Sequence, residues 1–214
     1  MNQIAKKKPV NGRTATREAR RQQLINATID SISKRGFSGT TLATVTKSAK
    51  LSHGTVNFHF DNKEDLYGQT LGYLAREHYD HWSSAMTAAG PKPAAQLAAI
   101  IEVDFKSSIC STKKLAVWFA FWGQAKHRPT YLKIHNTYDD QRRAELERLC
   151  KELARERDYA QIDPTETTQN IEAMIDGLWL QLLLHPQKHQ RTKARNNCFN
   201  YLAQLFPKHF SRCD

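Results

Sequence analysis

The sequence predicts an all-α protein, and three observations carry the prediction. Apolar residues recur at three- and four-residue spacing, as Ile25, Ile29 and Ile32 do, which draws one stripe along a helix. No stretch alternates apolar with polar residues, and no Asn-Gly pair joins two such stretches as a hairpin. Breaks separate the periodic stretches, at Gly36, Gly90-Pro91, Pro129 and Pro186.

Each element follows in order. Residues 1–16 are polar and basic without periodicity, so they read as a flexible arm. A first helix is predicted over residues 17–35, with Gly36 suited to its C-terminal turn. Thr40-Thr41 can cap a short helix over 42–49, and Ser52 precedes another over 53–58. Asp61 or Asn62 can cap a long helix over 63–86. The stretch Ala88-Ala89-Gly90-Pro91-Lys92-Pro93 is the clearest break. Helices are then predicted over 94–109, 113–126, 130–157, 164–184 and 190–206, with no internal repeats.

Composition excludes several classes. Hydrophobic residues at 40% and charged residues at 25% fit a soluble globular protein. No apolar run approaches the roughly 20 residues that span a bilayer. Lys6-Lys7-Lys8 lead into no apolar core, so no secretory signal is read, and a cytoplasmic location is expected. Cys110, Cys150, Cys198 and Cys213 form no CxxC pair, which predicts reduced thiols and neither a disulfide framework nor a zinc site. Residues 1–63 hold twelve Lys/Arg against three Asp/Glu, and the rest of the chain holds twenty against eighteen. Positive charge concentrated in this way attracts a polyanion and is weakened by salt.

Residues 40–66 read TTLATVTKSAKLSHGTVNFHFDNKEDL. Two short helices around a tight turn at Lys50-Leu51 fit a helix-turn-helix. Leu42, Val45, Leu51, Val56 and Phe60 are spaced for a small core, with Phe58 also read as core. The second short helix then presents Ser52, His53, Thr55 and Asn57 as compact polar groups for base edges or phosphates in a major groove. Lys63 and the N-terminus of its helix suit a phosphate. Thr41 is first a helix cap, His59 packs or meets a phosphate, and Arg17, Arg20 and Arg21 are either solvated or in contact with phosphate.

This segment resembles the DNA-binding domain of the tetracycline-repressor (TetR) family, whose pattern runs roughly Thr-x-x-x-Ile-Ala-x-x-Ala-Gly-Val-Ser-x-Gly-x-x-Tyr-x-His-Phe-x-x-Lys-x-x-Leu. The chain matches it at Thr41, Ala49, Ser52, Gly54, His59, Phe60, Lys63 and Leu66. The resemblance implies a DNA-contact set of Arg17, Arg20, Thr41, Ser52, His53, Gly54, Thr55, Asn57, His59 and Lys63. The chain also departs from the pattern. The turn glycine is Lys50, the frequent tyrosine is Asn57, and the Ile-Ala pair falls on Val45-Thr46 or Thr46-Lys47. The domain is expected to span residues 17–66.

The same resemblance assigns residues 67–214 to effector binding and dimerisation. Leu115-Ala-Val-Trp-Phe-Ala-Phe-Trp122, Met174-Ile-Asp-Gly-Leu-Trp-Leu180 and His127-x-Pro129 are similar to segments of the betaine-regulator (BetI-like) branch. Its repressors control conversion of choline to glycine betaine. Independently, Trp118, Phe121 and Trp122 share a helix face, and a quaternary ammonium is drawn to such rings. Asp176 lies in an apolar helix with Trp179 on the same face, where a carboxylate can balance a cation. These residues also suit a packed core, with Asp176 paired to an arginine or a helix end. The last two helices of two copies can pair as a four-helix bundle, with Leu178, Leu182, Tyr201, Leu202 and Leu205 as candidate contacts.

The expected function is therefore a homodimeric repressor of choline and glycine-betaine genes. A palindromic operator binds it, and an effector such as choline or betaine aldehyde releases it by shifting a population of dimer conformations. The helix over 63–86 joins the two halves and is the natural lever. A regulator of another pathway or an efflux system with an unrelated effector is the alternative. A charge-driven, sequence-blind DNA binder is another reading. An enzyme is not expected: His78-x-x-His81 and His185-x3-His189 have helical spacing, but no HExxH, phosphate loop or nucleophile motif accompanies them. No cofactor or metal is expected.

Overall fold

The computed structural model describes residues 12–155, 159–187 and 190–213, and these are helical or in turns with no strand among them. The chain divides into two compact units after Thr70, inside the fourth helix.

The first unit contains α1 (Gly12–Arg35), α2 (Leu42–Ala49), α3 (His53–His59) and the start of α4 (Lys63–Ala88). α1 begins before the expected residue 17, so the last part of the expected arm is helical; residues 1–11 lie outside the described residues. Nothing between Gly12 and Arg17 interrupts a helix, because the only nearby breaker is Pro9. Leu24, Ile25, Ile29 and Ile32 are buried. Gly36 closes the helix at φ 70°, and its N–H donates to the Ile32 carbonyl at 2.9 Å.

Caps fix the short helices. Thr41 and Thr44 exchange side-chain-to-backbone bonds at 3.2 and 2.9 Å, a reciprocal cap at the start of α2. Ser52 Oγ accepts from the Thr55 N–H at 3.2 Å and starts α3. Asn62 Oδ1 accepts from the Asp65 N–H at 2.9 Å and starts α4. Between α2 and α3, Lys50 takes the left-handed conformation (φ 53°, ψ 42°), and the Leu51 N–H reaches back to the Thr46 carbonyl at 3.0 Å. Lysine therefore occupies a glycine conformation there. Lys50→Gly is expected to stabilise the first unit by about 1 kcal/mol; a lower Tm for the variant contradicts this.

Val45, Ala49, Val56, Phe60 and Leu66 fill the core of this unit, while Leu42 and Leu51 are half-buried. The buried Tyr67 hydroxyl donates to the Thr40 carbonyl at 2.7 Å, tying α4 to the loop before α2. Thr46 keeps its interior hydroxyl satisfied on the Ala43 carbonyl at 3.0 Å.

The second unit holds the rest of α4 with α5 (Pro93–Asp104), α6 (Thr112–Trp122), α7 (Pro129–Ala154), α8 (Pro164–Leu184) and α9 (Arg191–Leu205). Proline opens α5, α7 and α8, where its missing N–H costs nothing. Asp163 Oδ1 caps α8 by accepting from the Thr165 and Glu166 N–H groups at 2.8 and 3.0 Å. α5 ends at Asp104, short of the expected residue 109, and α6 ends at Trp122 before Gly123. Ile100, Leu115, Leu146, Ile175 and Leu202 are among its buried apolar residues. Cys110, Cys150 and Cys198 are buried, Cys213 is half-buried, and all four are unpaired. Burial pushes the Cys110 and Cys198 thiols up to about 12 and the Cys150 thiol up to about 11. Among the described residues, no helix is long and apolar enough to cross a membrane.

Candidate nucleic-acid interface and ligand pocket

The outward side of α3 is built by its shortness. Val56 and Phe60, four residues apart, turn inward and are buried. Residues one or two steps away along the helix then face solvent. His53, Gly54, Asn57 and Phe58 are all exposed. Phe58 is 66% exposed, which corrects the expectation that it belongs to the core. It lies about 200° around the helix from Val56. The Arg17 guanidinium lies 5.4 Å from its ring centroid.

The other expected DNA-contact residues divide by role. Thr41 and Ser52 spend their hydroxyls on caps. Thr55 is half-buried, with its hydroxyl 3.0 Å from that of Ser52. Arg20 is exposed and donates to Gln23 at 2.9 Å; Arg21 bonds to Gln69. Lys63 Nζ lies 5.1 Å from the Tyr67 ring centroid. His59 is half-buried, and its pKa is lowered by burial and then by Arg17 and Arg21, against the opposing pull of Glu18. A Cβ on Gly54 would meet only Ser52 Oγ, at 3.7 Å, so the fold does not demand glycine there.

In the second unit, all four tryptophans of the chain line one pocket. Its cavity volume is about 40 Å³, and it opens to solvent. Trp82 comes from α4, Trp118 and Trp122 from α6, and Trp179 from α8. The Trp118 and Trp122 rings are 6.2 Å apart, and His135 stands edge-on to them at 5.9 and 5.7 Å. Asp176 lies on the same wall as Trp179. Phe121 instead lines an adjoining pocket of about 330 Å³, stacked edge-on to Tyr131 at 5.3 Å. The two pockets share Trp122, His135, Asp139, Arg142 and Asp176.

The floor of the inner pocket is a buried charge cluster. Asp104 is fully buried. It accepts from Arg142 Nη2 at 2.6 Å, and its other oxygen meets His78 Nε2 at 2.7 Å. Trp179 Nε1 donates to the Asp104 backbone carbonyl at 2.9 Å. Burial alone would push the Asp104 carboxyl up, but Arg142 and His78 hold it below its ordinary value. Asp104, not Asp176, thus takes the arginine. Asp176 reaches solvent, yet the protein packed around it pushes its carboxyl up to about 6. Arg142 opposes that shift, and Asp139, Glu172 and Asp104 reinforce it.

The expected dimer contacts need correction at two positions. Leu182 is 6% exposed and Leu202 fully buried within one chain. Ile171, Ile175, Trp179 and Leu182 form the inward stripe of α8, and Cys198 and Leu202 that of α9. Leu178, Tyr201 and Leu205 are half-buried. The exposed leucines of α8 are Leu180 and Leu184, in line with exposed Ala173 and Gly177. As for the histidine pairs, His78 is held by Asp104, and His81 Nδ1 lies 2.8 Å from the Glu77 carbonyl. His189 lies outside the described residues. Among the described residues, no three His, Cys, Asp or Glu gather to hold a metal.

Two family models match the chain. Residues 24–70 match the model for bacterial regulatory proteins of the tetR family, and residues 93–207 match the BetI-type transcriptional repressor C-terminal model. A protein of Burkholderia mallei named HTH-type transcriptional regulator BetI is 33% identical over 189 residues, covering 88% of this chain and 94% of the relative. A Paraburkholderia phymatum protein of the same name is 35% identical over 165 residues, covering 77% and 82%. Among solved structures, a Pseudomonas aeruginosa protein described as a transcriptional regulator has a TM-score of 0.78 at 25% identity, covering 91% of this chain and 95% of its own. One from Saccharomonospora viridis, solved in complex with choline, has a TM-score of 0.74 at 16% identity, covering 87% and 96%; that likeness concerns fold alone.

Proposed function

Because the chain belongs to the tetR family of bacterial regulatory proteins and carries a BetI-type repressor domain, and so is a transcriptional regulator rather than an enzyme, we propose that it represses choline and glycine-betaine genes. On this reading a homodimer sits on a palindromic operator and a quaternary-ammonium effector such as choline or betaine aldehyde releases it. The observation that carries the effector class is the pocket that gathers all four tryptophans beside Asp176. A quaternary ammonium cannot donate a hydrogen bond, so ring faces and a carboxylate are what recognise it, at about 0.5–2 kcal/mol per ring. The choline bound to the Saccharomonospora viridis neighbour and the names of the curated relatives support the same class.

The DNA side of the proposal rests on the exposed α3 face and the basic N-terminal third. Two copies place two such helices at half-sites one helical turn, or a multiple of it, apart. We assign the dimer contact to the exposed side of α8 at Leu180 and Leu184, with Tyr201 and Leu205 of α9. Ligand and operator each favour one dimer conformation, and the effector shifts the balance only by its differential affinity. α4, continuous from Lys63 to Ala88, is the proposed lever.

Calorimetry with choline and betaine aldehyde tests the effector class. Binding with a rise in Tm is expected; no heat and no shift for either ligand overturns it. With Asp176 titrating near 6, cation affinity should rise as pH rises through about 6 and level off above it, because only the ionised carboxylate attracts the ligand. Asp176→Asn should weaken choline binding about tenfold at pH 7.5 and flatten that profile. A profile unchanged by the substitution removes Asp176 from the site.

A further inference from the structure

We propose that Phe58 reads thymine methyl groups in the major groove and so sets part of the operator's sequence. This rests on the operator-binding reading above and adds a residue to it. Phe58 is 66% exposed, the most exposed of the large apolar side chains among the described residues. Leu132, Leu180 and Leu184, the other exposed ones, lie in the second unit. At about 100° per residue, His53, Asn57, Gly54 and Phe58 succeed one another around α3 over an arc of about 140°. All of them are exposed, whereas Thr55 and His59 beyond the arc are half-buried and Val56 is buried. Phe58 therefore closes one side of the face that carries His53 and Asn57.

Chemistry and geometry fit the ring to a base edge. A phenyl ring has no hydrogen-bonding group to spend on polar base edges, and the apolar group that base pairs display in the major groove is the thymine C5 methyl. Gly54 lies one turn before Phe58 on the same side of the helix, and a Cβ there would meet only Ser52 Oγ, at 3.7 Å. The bare backbone beside the ring lets a base edge come close. Arg17, exposed on α1, holds its guanidinium 5.4 Å from the ring centroid. That contact steadies the ring and sets a positive charge beside it, as a phosphate at the groove's border requires. Asn57, the neighbouring residue, carries an amide for polar base edges, so the arc joins an apolar reader to a polar one.

DNA upstream of the gene, amplified with either dTTP or dUTP, tests this with the full-length protein, because uracil lacks only the methyl. Anisotropy titrations against a scrambled competitor read the specific affinity. Wild type is expected to bind the uracil duplex about tenfold more weakly than the thymine duplex. Phe58→Ala should bind the thymine duplex about tenfold more weakly than wild type and lose about twofold or less further on uracil. Phe58→Leu keeps an apolar contact and should bring binding back to within about threefold of wild type. Both variants should keep the wild-type Tm, since the ring lies largely in solvent. A wild type blind to uracil, or a Phe58→Ala variant as sensitive to it as wild type, overturns the methyl reading and leaves operator binding standing. A lower Tm for Phe58→Ala places the ring against its own chain and also overturns it. No preference of wild type for the upstream duplex over the scrambled one overturns both readings.

Discussion

Asp104→Asn is expected to destabilise the protein by about 3–5 kcal/mol, because it strands the buried Arg142 charge. Asp104 is fully buried and Arg142 is 5% exposed, so water cannot replace the lost carboxylate. Glu172 is too distant, at 3.7 Å, to substitute for the 2.6 Å bond that disappears. For a chain of this size the drop corresponds to about 10 °C in Tm. The pH dependence has a definite sign. The folded-state pKa of Asp104 is depressed, so its stabilisation is complete above the ordinary carboxylate range and is lost as pH falls through its own lower value. Thermal melts of wild type and variant across acidic pH check both points. Asp176→Asn is the contrast: the folded-state pKa of Asp176 is raised to about 6, so its charge opposes folding at neutral pH and its removal should leave Tm unchanged or raise it. Equal melts for wild type and Asp104→Asn would show that the buried pair contributes nothing net.

The second large effect concerns DNA. Replacing His53 and Asn57 together by alanine should weaken binding to a specific operator about 10- to 100-fold, with affinity for random duplex nearly unchanged. Both side chains are exposed and make no contact that starts or ends α3, so Tm should stay where it is. Lys63→Ala should act differently, weakening all duplexes alike and lowering the salt slope by about one. Gel-shift or anisotropy titrations on the DNA upstream of the gene, with a scrambled competitor, separate the two behaviours. Loss of specific and random binding in parallel for the double variant would mean that α3 only positions the protein on the backbone.

Local chemistry made most of the helices readable from sequence. Thr41, Ser52 and Asn62 announced three starts, Gly36 one end, and Pro129 and Pro164 two more starts. Each acts through groups within four residues, so the signal is contiguous. The start of α1 was not readable, because Gly12 to Thr16 carries neither a cap nor an apolar stripe. Phe58 misled for a related reason: in a seven-residue helix an aromatic next to a core position looks like core itself. The tryptophans and Asp176 were visible as one-sided stripes. His135, Tyr138 and the Asp104–Arg142 pair were not, because each meets its partners on another helix: His135 on Trp118 and Trp122, Tyr138 on Arg76, and Asp104 on His78 and Arg142. Leu182 and Leu202 were misplaced for the same reason, since apolarity alone does not say which side of α8 or α9 meets its own chain.

The cysteines carry a practical consequence. With the Cys110, Cys150 and Cys198 thiols shut inside and pushed up to about 11–12, almost none is thiolate at neutral pH, and alkylating reagents act on thiolate. Cys213 alone is partly open, its backbone clasped by the Asn200 amide at 2.7 and 3.2 Å. A maleimide dye added to the native protein should therefore settle on one sulfur, giving a uniform fluorescent reagent without mutagenesis.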